Sequence, residues 1–250
     1  YSLWIECTFL YTDSRYSLHI HTPSRLIGNR FCFSAFSHTK DEDGFIKKFF
    51  SYSILTEASG LFQGIKILAK SNNIDDYAKN LSDSLKGIIK DYSDRYDSFV
   101  IHTSFRMKNR DIKTIKTALD EIRKDSNVRL AVLRFDDNHD YMGFDNEYNS
   151  LVPLESSTVC LAYNKFLIWF EGQQYGQFAI KHRIGAPIKV TIDYPEEISN
   201  SEKEEYLQDA LNLSGANWRG FNAKSIPVSL LYADLISHFI SSFNRYNLSE

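Results

Sequence analysis

Phe99-Val100-Ile101-His102, a basic stretch from Arg106 to Lys116, a run in which Ile112, Ile115, Leu119 and Ile122 recur, and Leu130-Ala131-Val132-Leu133-Arg134-Phe135 follow one another in this chain. The first and last of these are short apolar runs bounded by polar residues, which have the length of strands rather than helices. The residues between them repeat every three or four positions, the spacing of one helix face. Strand, helix and strand in that order predict a parallel pair joined by a crossover helix. Strands so uniformly apolar are covered on both faces, as inside an α/β sheet.

Upstream, Tyr77, Leu81, Leu85, Ile88, Ile89 and Tyr92 predict an amphipathic helix starting near Asp75, with Asn73 or Asp75 as its cap. Before that the chain reads as β-rich. Leu3 to Leu10 and Arg30 to Phe36 have strand character, Phe31, Phe33 and Ala35 alternating in the second, and Ile46 to Thr56 gives one more strand. Pro23, Gly28 and Asp41-Glu42-Asp43-Gly44 mark the turns. Downstream, Thr158 to Phe170 predicts a hairpin turning near Asn164-Lys165, and Pro187 to Ile192 a strand. Helices are expected over Ser201 to Leu213 and over Pro227 to Tyr246, where Pro227 suits a first turn and Leu230, Leu231, Ile236, Phe239, Ile240 and Phe243 share a face. No repeat or linker breaks the pattern, so one domain spanning residues 1–250 is expected.

Composition excludes several classes. With 250 residues, 43% hydrophobic and 24% charged, the chain has the make-up of a globular protein able to bury a core. No apolar run reaches the ~20 residues of a membrane span, and no signal peptide is visible, so a cytoplasmic protein without a membrane partner is expected. The chain opens at Tyr1 and runs straight into Leu3-Trp4-Ile5, which reads as a fragment of a longer protein. Cys7, Cys32 and Cys160 are few and scattered, which fits buried reduced thiols and no zinc spacing. His19-Ile20-His21 is read as incidental to its strand.

The net charge of −3 hides an asymmetry. From His102 to Lys116 there are five basic residues, Arg106, Lys108, Arg110, Lys113 and Lys116, against the single acid Asp111. From Asp193 to Glu205 six acids accompany one lysine, a solvated face that repels phosphate. A domain with one polyanion-binding groove has this distribution, and so does a lysine-rich helix face exposed to water.

The order of motifs carries a resemblance. Val100-Ile101-His102-Thr103-Ser104-Phe105-Arg106, Leu130-Ala131-Val132-Leu133, Val152-Pro153-Leu154-Glu155-Ser156-Ser157-Thr158-Val159, and Asn217-Trp218-Arg219-Gly220-Phe221 with Ile226-Pro227-Val228 resemble successive segments of the PIWI domain of Argonaute proteins. The resemblance extends to Asn244-Arg245-Tyr246 and is to short prokaryotic Argonautes of the inactive kind. It implies a ribonuclease-H-like α/β fold, a mixed central sheet flanked by helices. It also implies that the MID domain preceding PIWI, which holds most of the pocket for the guide 5′ end, lies outside these residues.

An active PIWI domain holds two divalent cations with acidic residues, and the metals activate a water and stabilise the leaving oxygen. Mg²⁺ prefers hard, charged oxygen ligands, so a hydroxyl replaces a carboxylate poorly. Matching Leu3-Trp4-Ile5-Glu6-Cys7-Thr8 to the family's first motif puts Thr8, or Cys7 with a shift of one, at the first acid. Glu6 would point to the other face of the strand. The second acid falls on Ser104 and the last on Asp234, while Asp41, Glu42 or Asp43 are candidates for the mobile acid. The resemblance thus implies no catalysis and no bound metal in this domain, with a divalent cation such as Mg²⁺ placed only at the guide 5′ end of the full-length protein.

The implied role is guide-directed binding of a complementary target, single-stranded DNA being favoured, by a protein carrying guide RNA or DNA. Arg219 is the leading phosphate contact, with Asn217 and Lys224 beside it and Arg106, Lys108 and Arg110 after the core strand. Ser156, Ser157 and Thr158 are read as a turn before a strand, Lys181 and Arg183 as surface charge, and Trp218 and Phe221 as anchors of their loop. The partners implied are the MID domain and an associated effector, sirtuin-like or TIR-type, acting in prokaryotic defence. Two other readings stay open: a Mg²⁺- or Mn²⁺-dependent endonuclease with an atypical acid set, and a ribonuclease-H-like protein-interaction module.

Overall fold

A computed structural model describes residues 30–40, 46–57, 61–71, 73–103, 109–125, 128–146, 149–172, 186–215, 226–233 and 235–236, with the backbone alone for residues 30–52, 70, 71, 74, 110–112 and 125. Contacts group the chain into two compact units, one of Ile27–Val132 with Ser229–Glu250, the other of Tyr1–Leu26 with Leu133–Val228. One boundary falls inside a strand, between Val132 and Leu133, where no change of composition marks it.

In the first unit, β1 (Arg30–Lys40), β2 (Ile46–Glu57) and β3 (Phe62–Ser71) form an antiparallel meander. β4 (Ser98–Thr103) then lies parallel to β1, with Arg30 opposite Ser98 and Ser34 opposite His102. The sheet is therefore mixed. The parallel pair needs a crossover, and α1 (Ile74–Tyr92) supplies it, lying against β3. Asn73 is the α1 cap: in extended conformation, it accepts the Asp75 N–H at 2.8 Å. Asp75 and Asp76 in the first turn and Lys90 in the last complement the helix dipole. Tyr77, Leu81, Leu85, Ile88 and Ile89 are buried, the face expected from their spacing.

α2 (Asn109–Asp125) packs on α1 and buries Ile115, Ala118 and Leu119. All six residues of β4 are buried. β5 (Arg129–Asp136) passes from the first unit into the second.

The second unit contains the hairpin β6 (Thr158–Ala162) and β7 (Lys165–Ile168), turning over Tyr163-Asn164, and β8 (Ile188–Tyr194) antiparallel to β7. Val159, Leu167 and Trp169 form its apolar centre, with Tyr141 and Leu161 against them. α3 (Asn200–Gly215) starts with a reciprocal cap: Ser199 Oγ accepts the Glu202 N–H at 3.2 Å and Glu202 Oε2 accepts the Ser199 N–H at 3.1 Å. After Pro227, residues 228–233 are helical, as the sequence predicts, with Val228, Ser229, Leu230 and Ala233 buried.

Two expectations are corrected. β1 runs four residues beyond Phe36, to Lys40. β3 has no counterpart in the sequence reading, because Ile65 and Ile67 are exposed and its apolar residues do not mark an inward face.

Candidate nucleic-acid interface

Open α/β sheets bind ligands beyond the carboxyl ends of their parallel strands. β4 ends in His102 and Thr103, both fully buried. Burial pushes the His102 pKa down to about 3, so the imidazole is neutral at physiological pH. Residues 104–108 follow, outside the described residues, and α2 begins at Asn109. Neither β1 nor β4 contains an aspartate or a glutamate. On α2, Lys113 is exposed and Lys116 half-buried, and neither makes an ion pair among the described residues. They continue the basic run that starts at Arg106.

β5 ends differently. Arg134 donates to Asp193 of β8 through Nε at 2.9 Å and through a second nitrogen at 3.3 Å. Two residues on, Asp136 meets Lys189 of β8 at 2.7 Å and accepts the Asn138 N–H at 2.9 Å. Burial alone would raise the Asp136 pKa. The Lys189 hydrogen bond, the Asn138 N–H and the charges of Lys189 and Arg134 outweigh it and hold the carboxyl below its ordinary value. Asp193 is therefore no member of a solvated acidic face: its side chain is 13% exposed and bound to arginine. Lys203 is buried too, with its ammonium 3.3 Å from the centre of the Tyr163 ring. Glu196, Glu197 and Glu204 remain exposed, as expected.

The segment after β5 is fixed in place. His139 Nε2 lies 3.0 Å from the Pro187 carbonyl, which only accepts, so Nε2 carries the proton and Nδ1 accepts the Tyr141 N–H at 3.3 Å. Gly143 lies where a Cβ would come within 2.5 Å of the Trp169 ring and 2.6 Å of Pro153. Ser156, at φ 69°, closes a turn in which Ser157 N–H donates to Leu154 at 3.1 Å, and Ser157 and Thr158 are buried. Ser156 and Ser157 form the turn before β6, and Thr158 opens the strand. Cys160 is half-buried and its thiol is pushed up by burial.

Thr8, Cys7, Ser104, Arg106, Lys108, Asn217, Trp218, Arg219, Phe221, Lys224, Asp234, Lys181, Arg183, His19, His21, Asp41, Glu42 and Asp43 lie outside the described residues, as does the Arg110 side chain. The sequence reading missed β1 as the strand running parallel beside β4. Its apolar alternation was visible, but which early strand pairs with β4 is a matter of topology that residue spacing does not encode. Among the described residues, no group of three or more His, Cys, Asp or Glu is placed to hold a metal ion, and no helix is long and apolar enough to cross a membrane.

No protein-family model matches the chain. A Piwi protein of Archaeoglobus fulgidus is 25% identical over 151 aligned residues, covering 56% of this chain and 35% of that protein. Among solved structures, an Argonaute of Aquifex aeolicus matches with a TM-score of 0.62 at 14% identity, over 87% of this chain and 29% of that one. Clostridium butyricum Argonaute, bound to a guide DNA and a 19-mer target DNA, matches with a TM-score of 0.60 at 16% identity, over 87% of this chain and 28% of that one. Marinitoga piezophila Argonaute, in complex with 5′ OH guide RNA and target DNA, gives 0.58 at 14% identity, over 84% and 30%. The chain thus spans about a third of the length of these proteins. With its β1–β2–β3–α1–β4–α2–β5 order, the chain has the mixed α/β, ribonuclease-H-like fold of the PIWI domain in these Argonaute structures, and part of its sequence is similar to a Piwi protein.

Proposed function

We propose that this domain holds a guide–target duplex and does not cut it. The supporting observation is the parallel pair β1–β4, which carries no carboxylate on either strand. Two-metal chemistry needs charged oxygen donors where the metals bridge the reacting phosphate. Ser104, at the second-acid position by resemblance, immediately follows β4. Thr8, or Cys7 with a shift of one, stands at the first-acid position by the same resemblance. The donor set does not fit two Mg²⁺ ions, and Asp234 alone does not make one.

What remains is electrostatic grip and shape. Base pairing with the guide discriminates sequence, while the protein holds phosphates. Arg219, flanked by Asn217 and Lys224, takes one phosphate with its planar fork. Arg106, Lys108 and Arg110, extended along α2 by Lys113 and Lys116, take others. Guide and target nucleic acids are the ligands in the Clostridium and Marinitoga complexes, which supports nucleic acid as the ligand class. The full-length protein would add a MID domain with a divalent cation at the guide 5′ end. In the cytoplasm of a prokaryote it would signal target recognition to a sirtuin-like or TIR-type effector.

Fluorescence anisotropy of the full-length protein, loaded with guide and titrated with labelled complementary DNA, tests the grip. The expected affinity falls steeply with salt and drops about tenfold or more in Arg219→Ala. Salt-independent binding, or none, defeats the proposal.

A further inference from the structure

The surface around β3 and the end of α1 has no part in the reading above. β3 pairs with β2 on one side, and among the described residues no strand pairs with the other. Natural edge strands are kept short or studded with charge, because an open ladder recruits foreign strands. β3 is ten residues long and exposes Ile65 and Ile67, which are two positions apart and share a face, at 53% and 62%. Lys66, between them, points to the opposite face, where it meets Asp91 of α1 at 3.0 Å and lies 5.7 Å from the centre of the Tyr92 ring.

That second face carries an ordered cation. The Arg95 guanidinium lies 5.1 Å from the Tyr92 ring centre and 5.9 Å from that of Tyr96. Tyr96 is itself fixed: its ring is buried and its hydroxyl donates to Glu57 at 2.7 Å, an oxygen that also accepts Gln63 Nε2 at 3.0 Å. Asp91 is engaged by Lys66, and Arg95 is exposed and makes no ion pair among the described residues. Stacked arginine and tyrosine beside an apolar strip is the make-up of a protein-binding hot spot.

The two faces together specify an occupant. A strand added to β3 alternates its side chains, so those meeting Ile65 and Ile67 are apolar and those between them face Lys66 and Arg95. We propose that the open edge of β3 accepts an extended segment of a partner protein, apolar at every second residue, with a carboxylate at an intervening position that pairs with Arg95. The apolar strip favours polypeptide over nucleic acid here. A second copy of β3 fits poorly, since its intervening Lys66 would bring a lysine rather than a carboxylate toward Arg95. The proposal stands whether or not the domain binds nucleic acid.

The probe is a synthetic peptide of alternating valine and threonine with one central glutamate, titrated into the isotope-labelled full chain and followed by backbone amide resonances. Shifts centred on residues 63–69 are expected, with binding at least tenfold weaker when the peptide glutamate is replaced by lysine. Arg95→Glu, an exposed change, reverses that preference. The idea is overturned if β3 amides do not move or if the charge swap has no effect. It is equally overturned if single-stranded DNA, and not the peptide, shifts Tyr92 and Arg95. Self-association that disappears in Ile67→Lys would assign the edge to a second copy and overturn it as well; unchanged thermal melting checks that this exposed variant is folded.

Discussion

At the C-terminal end of β4 the polar groups are neutral and buried; at the end of β5 they are charged and paired. His102 and Thr103 sit in the core with the imidazole held uncharged, whereas Arg134, Asp136, Lys189 and Asp193 form two crossed ion pairs between β5 and β8. A cleaving metal site needs carboxylates that are charged yet uncommitted to lysine or arginine. β4 itself carries no carboxylate, and at the β5 end Asp136 is committed to Lys189. The β5 end ties its strand to β8 through these ion pairs, whereas the β4 end is a buried, uncharged part of the core.

The largest effect in this comparison is expected at Trp169, whose fully buried ring supports the segment after β5 at Gly143. Trp169→Ala should cost about 4 kcal/mol in urea denaturation, through lost burial and the cavity left behind. Next comes the pH signature of His102. Its folded pKa, about 3, lies below its ordinary 6.5, so between those values the unfolded chain binds the extra proton. Stability should therefore be full above about pH 6.5 and fall as pH drops toward 3, and His102→Leu should flatten that slope. If the slope survives the substitution, the neutral character of the β4 end rests on other groups.

Asp136→Asn leaves the partly buried Lys189 without its charge partner and should cost about 2 kcal/mol at neutral pH. Because the Asp136 pKa is depressed, that contribution is present above its ordinary 3.8 and lost as pH falls below it, so wild type and variant should converge in acid. The smallest effect belongs to α2. Lys113→Ala with Lys116→Ala should weaken oligonucleotide binding several-fold and reduce the salt slope by about 1.4 for single strands. An unchanged slope would make these lysines plain surface charge.

Much of the fold could be read in the residues. β4 and β5 are apolar runs too short for helices, and the faces of α1 and α2 follow from spacing, down to the Asn73 cap. What stayed hidden depends on pairing at a distance. β3 was invisible because exposed Ile65 and Ile67 break the link between apolar and inward. The division into two units was hidden because its boundary crosses β5 rather than a linker. The acidic stretch read as a solvated face only because Arg134, the partner of Asp193, is 59 residues away. Of the site, the motif positions Thr8, Ser104 and Asp234 lie outside the described residues, while the strand that runs beside β4 follows only from the β1–β4 register.

The central claim is binding without cutting. Guide-loaded full-length protein, incubated with end-labelled complementary DNA or RNA in Mg²⁺ or Mn²⁺ and resolved on a denaturing gel, should retain its target at low salt and release it intact. A discrete product at a fixed distance from the guide 5′ end, lost in Asp234→Ala, would contradict the account.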